Sequence, residues 1–188
     1  MDRAEKTGSA AGEFPPVRMT LRDRRGVTIR AVRPDDAGAM RAAFDRLSAQ
    51  ARYNRFFSPS KELPPALVER SVRPLADRER ALVAVAGEGG DESIVGGARY
   101  IKAGDGETCE FAVTIADGWH GMGLASSLMR ALIRDACTRG LKRMEGYVLA
   151  QNRSMLDLAR RLRFDVKDSD EGPTVKLVTL DLRSTAGN

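Results

Sequence analysis

Apolar residues recur along this chain in two rhythms. Val17, Met19 and Leu21 alternate with polar residues, as do Val27 and Ile29, and Gly26 ends the turn between the two runs. A period of two with a glycine-bearing turn predicts a β-hairpin. Pro34, Asp35 and Asp36 then open a helix, because proline fits a first turn and carboxylates suit its positive end. Met40, Ala43, Phe44 and Leu47 continue at helical spacing. Shorter helical stretches are expected over 49–57 and 65–72, punctuated by Pro59, Pro64, Pro65 and Pro74. Strands resume over 81–86, 93–102 and 107–115, and Gly96-Gly97 predicts a bulge. Leu124, Leu128, Leu132 and Ala136 share one face of a helix over 124–139, which Gly140 closes. A strand over 143–149, a helix over 152–162 and strands over 164–167 and 175–182 complete the order. Residues 1–16 are small and polar and read as a flexible tail, and 184–188 as a frayed end. The stretch 17–183 then forms one domain of mixed α/β layers.

Composition narrows the class. The 188 residues are 42% hydrophobic and 30% charged, which is enough apolar material for a packed core without metal or disulfide staples. No apolar run is long enough to span a bilayer and no apolar leader opens the chain, so the expected location is cytoplasmic, with no membrane contact. Cys109 and Cys137 have no metal-ligand spacing and read as reduced thiols; no metal site is expected. The formal charge of +5 fits an arginine-rich surface or attraction to a phosphorylated ligand. No groove-reading motif accompanies it, so no nucleic-acid partner is expected.

The chemistry concentrates between Glu110 and Met129. A strand runs to Ile115, the turn carries Gly121 and Gly123, and a helix begins near Leu124. Backbone N–H groups and the positive end of a helix dipole therefore converge beside a strand end, an arrangement that binds phosphate. Glycine lets the backbone approach a ligand closely, and Ser126 in the first turn adds a hydroxyl. On the strand, Phe111, Val113 and Ile115 face one way and Glu110, Ala112 and Thr114 the other. Glu110 reads either as an ordinary exposed carboxylate or as a working base in a cleft. The dinucleotide fingerprint is not matched, because Ser126 stands where its third glycine would be.

The run His120-Gly121-Met122-Gly123-Leu124-Ala125 resembles the Q/R-x-x-G-x-G/A signature of the GNAT superfamily of acyl-CoA N-acyltransferases. The segment 148–164, with Asn152 before a helix and Phe164 after it, is similar to that family's second coenzyme-side motif. Residues 27–36 resemble its usual opening, and 47–57 look like bacterial protein lysine acetyltransferases. The resemblance covers about 18–182. It implies a mixed, mostly antiparallel sheet of six to seven strands, flanked by helices, with a splayed central parallel pair. It also implies acetyl-CoA or a short acyl-CoA as donor and an amine as acceptor. The pyrophosphate would lie on His120, Gly121, Met122, Gly123, Ala125 and Ser126, with Asn152 nearby. The pantetheine arm would pair with the main chain of Val113 and Ile115. Glu110 matches the glutamate that takes the amine proton in the similar lysine enzymes, so the resemblance implies direct attack in a ternary complex.

Three departures stand out. His120 replaces the usual Gln or Arg, Arg163 replaces the glycine before Phe164, and the helix 152–162 lacks the tyrosine that many members use as a general acid. A protein lysine is the first-choice acceptor. A small-molecule amine is the alternative, as is a non-catalytic acyl-CoA-binding regulatory module. Nothing in the sequence speaks to oligomeric state.

Overall fold

The computed structural model describes residues 14–59, 61–87, 89 and 92–184. Of the expected tail over 1–16 and frayed end over 184–188, residues 1–13 and 185–188 lie outside the described residues. Eight strands form one sheet: β1 (Val17–Thr20), β2 (Gly26–Ala31), β3 (Glu79–Ala86), β4 (Ser93–Lys102), β5 (Thr108–Ile115), β6 (Arg143–Leu149), β7 (Asp165–Asp168) and β8 (Val175–Asp181). Their spatial order is β1-β2-β3-β4-β5-β6-β8-β7. The count exceeds the six to seven expected because the two short outer strands, β1 and β7, both pair into the sheet. Every pairing is antiparallel except that of β5 with β6.

That parallel pair is brief. Thr108, Cys109 and Glu110 align with Arg143, Met144 and Glu145, and the register ends there. The remainder of both strands diverges, so the expected splay is present. Gly146 lies at the fork, where a Cβ would sit 2.7 Å from the Phe111 ring. Phe111 in turn packs on Phe164, with ring centroids 5.2 Å apart.

The helices are α1 (Ala37–Asp45), α2 (Ala49–Phe56), α3 (Pro65–Ser71), α4 (Leu124–Thr138) and α5 (Arg153–Arg161). A short 3-10 turn over Pro34–Asp36 precedes α1. The predicted apolar face of α4 is fully buried and joins Leu82, Ala98, Tyr100, Phe111 and Met144 in the main core. Residues of α5 close the same cluster, and Phe14 packs against its edge. A smaller cluster of Val32, Val72, Val83, Val85 and Ile94 lies under α1. The bulge opposes Ala84 and Val85 and leaves Val95 as the extra residue, one position before the expected glycines. Gly96 serves packing instead: a Cβ there would lie 3.0 Å from Ile115 and 3.2 Å from Leu128.

Candidate active site

The fork between β5 and β6 opens into a cleft of about 1430 Å³. Glu110, Val113, Ile115, His120, Gly121, Gly123, Ala125, Ser126 and Asn152 all line it. Thus all the sequence-predicted site residues except Met122 meet around one space. The Met122 side chain turns away, and its sulfur receives an Arg25 N–H. Its carbonyl accepts the Arg22 N–H at 3.4 Å, so Met122 fixes the loop from behind.

Gly121 and Gly123 adopt φ of +77° and +94°, which L side chains rarely reach, while the space around both is open. Here glycine is required by backbone conformation and not by crowding. Gly123 is the N-cap residue of α4 and no side chain caps that helix. The first N–H groups of α4 are therefore left for a ligand at the positive end of the dipole. The loop is braced from outside by Arg25, which stacks 3.6 Å from the Trp119 ring centroid and donates to the Gly118 carbonyl at 2.8 Å. His120 is exposed, with Nε2 3.8 Å from Asp117. Asp117 also accepts the Ser48 N–H at 2.6 Å and so ties the start of α2 to the same loop.

Asn152 is the N-cap of α5: its side-chain oxygen accepts from Met155 N–H at 3.2 Å and from Ser154 Oγ at 3.1 Å. Only its amide nitrogen remains to face a ligand. Arg22, Arg130 and Arg161 also border the cleft. Sequence reading passed over them, although Arg130 follows Ser126 by four residues and so shares its helix face.

Glu110 is exposed at the last paired position of the fork, beside Glu145. Cys109 points to the opposite side, fully buried, and burial pushes its thiol up to about 12. A thiolate nucleophile is therefore not available there. Tyr100 is sealed in the core with its hydroxyl donating to Asp135 at 2.7 Å, and burial first and that carboxylate next raise its pKa. Tyr53 lies on the exposed side of α2. Among the described residues Tyr147 is the tyrosine that lines the cleft. Partial burial, then Glu145 and Glu110, hold its proton more tightly than usual. No group of three or more His, Cys, Asp or Glu that could hold a metal gathers among the described residues.

The family model described as the acetyltransferase (GNAT) domain matches residues 27–165. Acetyltransferase PA5475 of Pseudomonas aeruginosa is 38% identical over 157 residues, covering 83% of this chain and 84% of that protein. Acetyltransferase Pat of Mycolicibacterium smegmatis is 30% identical over 156 residues, covering 81% of this chain and 45% of that longer relative. Among solved structures, the GNAT domain of S. lividans PAT has a TM-score of 0.81 at 24% identity, covering 90% of this chain and 99% of that one. The protein yncA from Salmonella typhimurium, solved with its cofactor acetyl-CoA, has a TM-score of 0.64 at 22% identity, covering 83% of this chain and 94% of that one. These two structural likenesses speak to the fold.

Proposed function

The chain belongs to the GNAT acetyltransferase family, and from that membership we propose that it moves an acetyl group from acetyl-CoA to a primary amine by direct attack in a ternary complex. One observation carries the reading: a single cleft is bordered both by the uncapped mouth of α4 and by the exposed carboxylate of Glu110. The pyrophosphate of the coenzyme rests on the N–H groups from Gly121 to Ser126, with Arg22, Arg130 and Arg161 supplying positive charge at that end. The pantetheine arm runs along the main chain of Val113 and Ile115, whose β6 side is open beyond the fork.

The amine arrives mostly protonated, since an alkylammonium loses its proton near pH ~10.4. Glu110 takes that proton directly or through one water. The freed nitrogen attacks the thioester carbonyl carbon, and a main-chain N–H near Val113 or Thr114 stabilises the oxyanion. The C–N bond forms, the C–S bond breaks, and the further proton that the attacking nitrogen sheds passes through water to the departing sulfur, so that CoA leaves as the thiol. We place the reaction in the cytoplasm, where the unpaired thiols Cys109 and Cys137 are at home. The first acceptor class is a protein lysine, supported by the likeness to Pat. A small-molecule amine is the second, supported by an apolar cavity that meets the cleft at Ala112 and Thr114 of β5.

Glu110→Gln tests the assignment. It keeps the shape and removes the base. Its kcat is expected to fall by about 10²–10⁴, while CoA affinity measured by titration calorimetry stays as in the parent protein. Undiminished kcat would remove Glu110 from the mechanism. Tight CoA binding with no transfer to any amine by the parent protein would make the chain a regulatory acyl-CoA-binding module.

A further inference from the structure

An apolar cavity of about 170 Å³ lies between the sheet and helices α1 to α3. It shares Arg55, Phe56, Ala112 and Thr114 with the large cleft, so the two spaces meet at β5. Arg55 stands at that junction. It is half-buried, and among the described residues its guanidinium has no hydrogen bond or ion pair; its contact is the Phe56 ring, 5.0 Å from the guanidinium carbon. Burial first, then the nearby Arg99, push it down to about 10, with Glu110 pulling the other way. Arg55 therefore keeps its charge at neutral pH.

Arg99 backs it on β4, facing the same side of the sheet as Ala112. Arg99 donates to Glu79 at 3.0 Å, but its buried Nε has no partner. Glu79 is itself shared with Arg70 at 3.5 Å. Cationic groups thus outnumber the carboxylates that neutralise them at the mouth of an apolar cavity. A partly desolvated guanidinium with no protein partner faces the cleft, and a carboxylate matches its fork of donors in bidentate fashion.

We propose that the acceptor carries a carboxylate close to its reactive amine, and that this carboxylate docks on Arg55 while adjoining carbon atoms enter the apolar cavity. The inference rests on the transfer reaction proposed above. It orients the acceptor: the ammonium end lies toward Glu110 and the anionic end toward Arg55. The same chemistry comes from two sources, a free amino acid or an acidic side chain flanking a lysine in a protein.

The test is calorimetric titration of the CoA-loaded protein with two matched pairs of probes. One pair is L-leucine and L-leucinamide. The other is a lysine peptide with a neighbouring glutamate and the same peptide with glutamine. In one pair the acidic member is expected to bind tighter by about tenfold or more, and that pair identifies the source. Arg55→Gln is expected to erase the preference. Arg55→Lys, which keeps charge and stem but not the fork of donors, is expected to retain part of it and guards against loss of folding in the first variant. Equal binding or no binding in both pairs overturns the proposal, as does an undiminished preference in both variants. Acetyl transfer to the same four probes is read separately. Acid-selective binding without transfer would sink the enzymatic reading alone; transfer indifferent to the carboxylate would sink this one alone.

Discussion

Gly123 holds a backbone angle that alanine reaches only under strain. No atom would obstruct an added methyl group, so the penalty of Gly123→Ala is conformational, about 1–2 kcal/mol. If that strain falls on the turn, acetyl-CoA binding weakens by about tenfold, with kcat little changed because Glu110 and the fork are untouched. Steady-state kinetics separates the two parameters, and a fall in kcat at constant KM would contradict this role. At the same scale the sequence was readable where one residue type has one reason to be present. The glycines of the turn are such residues. Met122 was not, because its direction is set by Arg25 on a distant hairpin. Arg55 was not, because its lack of a partner is a property of three segments that meet only in the folded chain.

Between β2 and α1 a buried ion pair fixes how the first helix leaves the sheet. Arg30 and Asp36 make two hydrogen bonds of 2.8 Å, both side chains being 8% exposed, and Asp36 also accepts the Arg33 N–H at 2.7 Å. Burial alone would raise the Asp36 pKa; the Arg30 and Arg33 hydrogen bonds outweigh it and hold the carboxyl below its usual range. Its contribution to stability is therefore full above about pH 4 and is lost as pH falls through the lowered native value. Asp36→Asn is expected to cost about 3–5 kcal/mol near neutrality, and the gap to the parent protein should narrow in acid. Urea midpoints measured across pH test this, and a gap that stays constant down to about pH 2 would refute it. Element identities here were legible from local rhythm, and the Pro34-Asp35-Asp36 opening was read correctly as a start. The buried role of Asp36 was not legible, since a carboxylate at a helix start ordinarily serves the dipole in solvent.

Across the whole molecule, the hydrophobic rhythm carried most of the fold, because α4 and the strands it covers have strictly periodic faces that bury as the period dictates. The position of the bulge escaped it, since Gly96 answers to Ile115 and Leu128 from other elements. The cleft was legible in outline, because one strand, one turn and one helix supply a continuous part of its wall. The cavity behind Arg55 was not, because residues far apart in sequence enclose it. The proposed seating of the coenzyme arm predicts a global response. Hydrogen exchange over 111–115 and 146–149 should slow when CoA is added, while α1 to α3 stay unchanged; protection confined to the α4 end would show that the arm does not enter the fork.

β5 and β6 are joined by three register pairs and no more. Five strands on one side of that seam and three on the other are otherwise held together by the shared core, by Phe111 packed on Phe164, and by the Lys142 N–H on the Glu107 carbonyl. Under the proposed seating of the coenzyme arm, a ligand lying in the gap would act as a guest rung, and the donor would double as a stitch between two half-sheets. Each catalytic cycle would then loosen and retighten the molecule along its own midline, with release of the spent coenzyme marking the slackest moment.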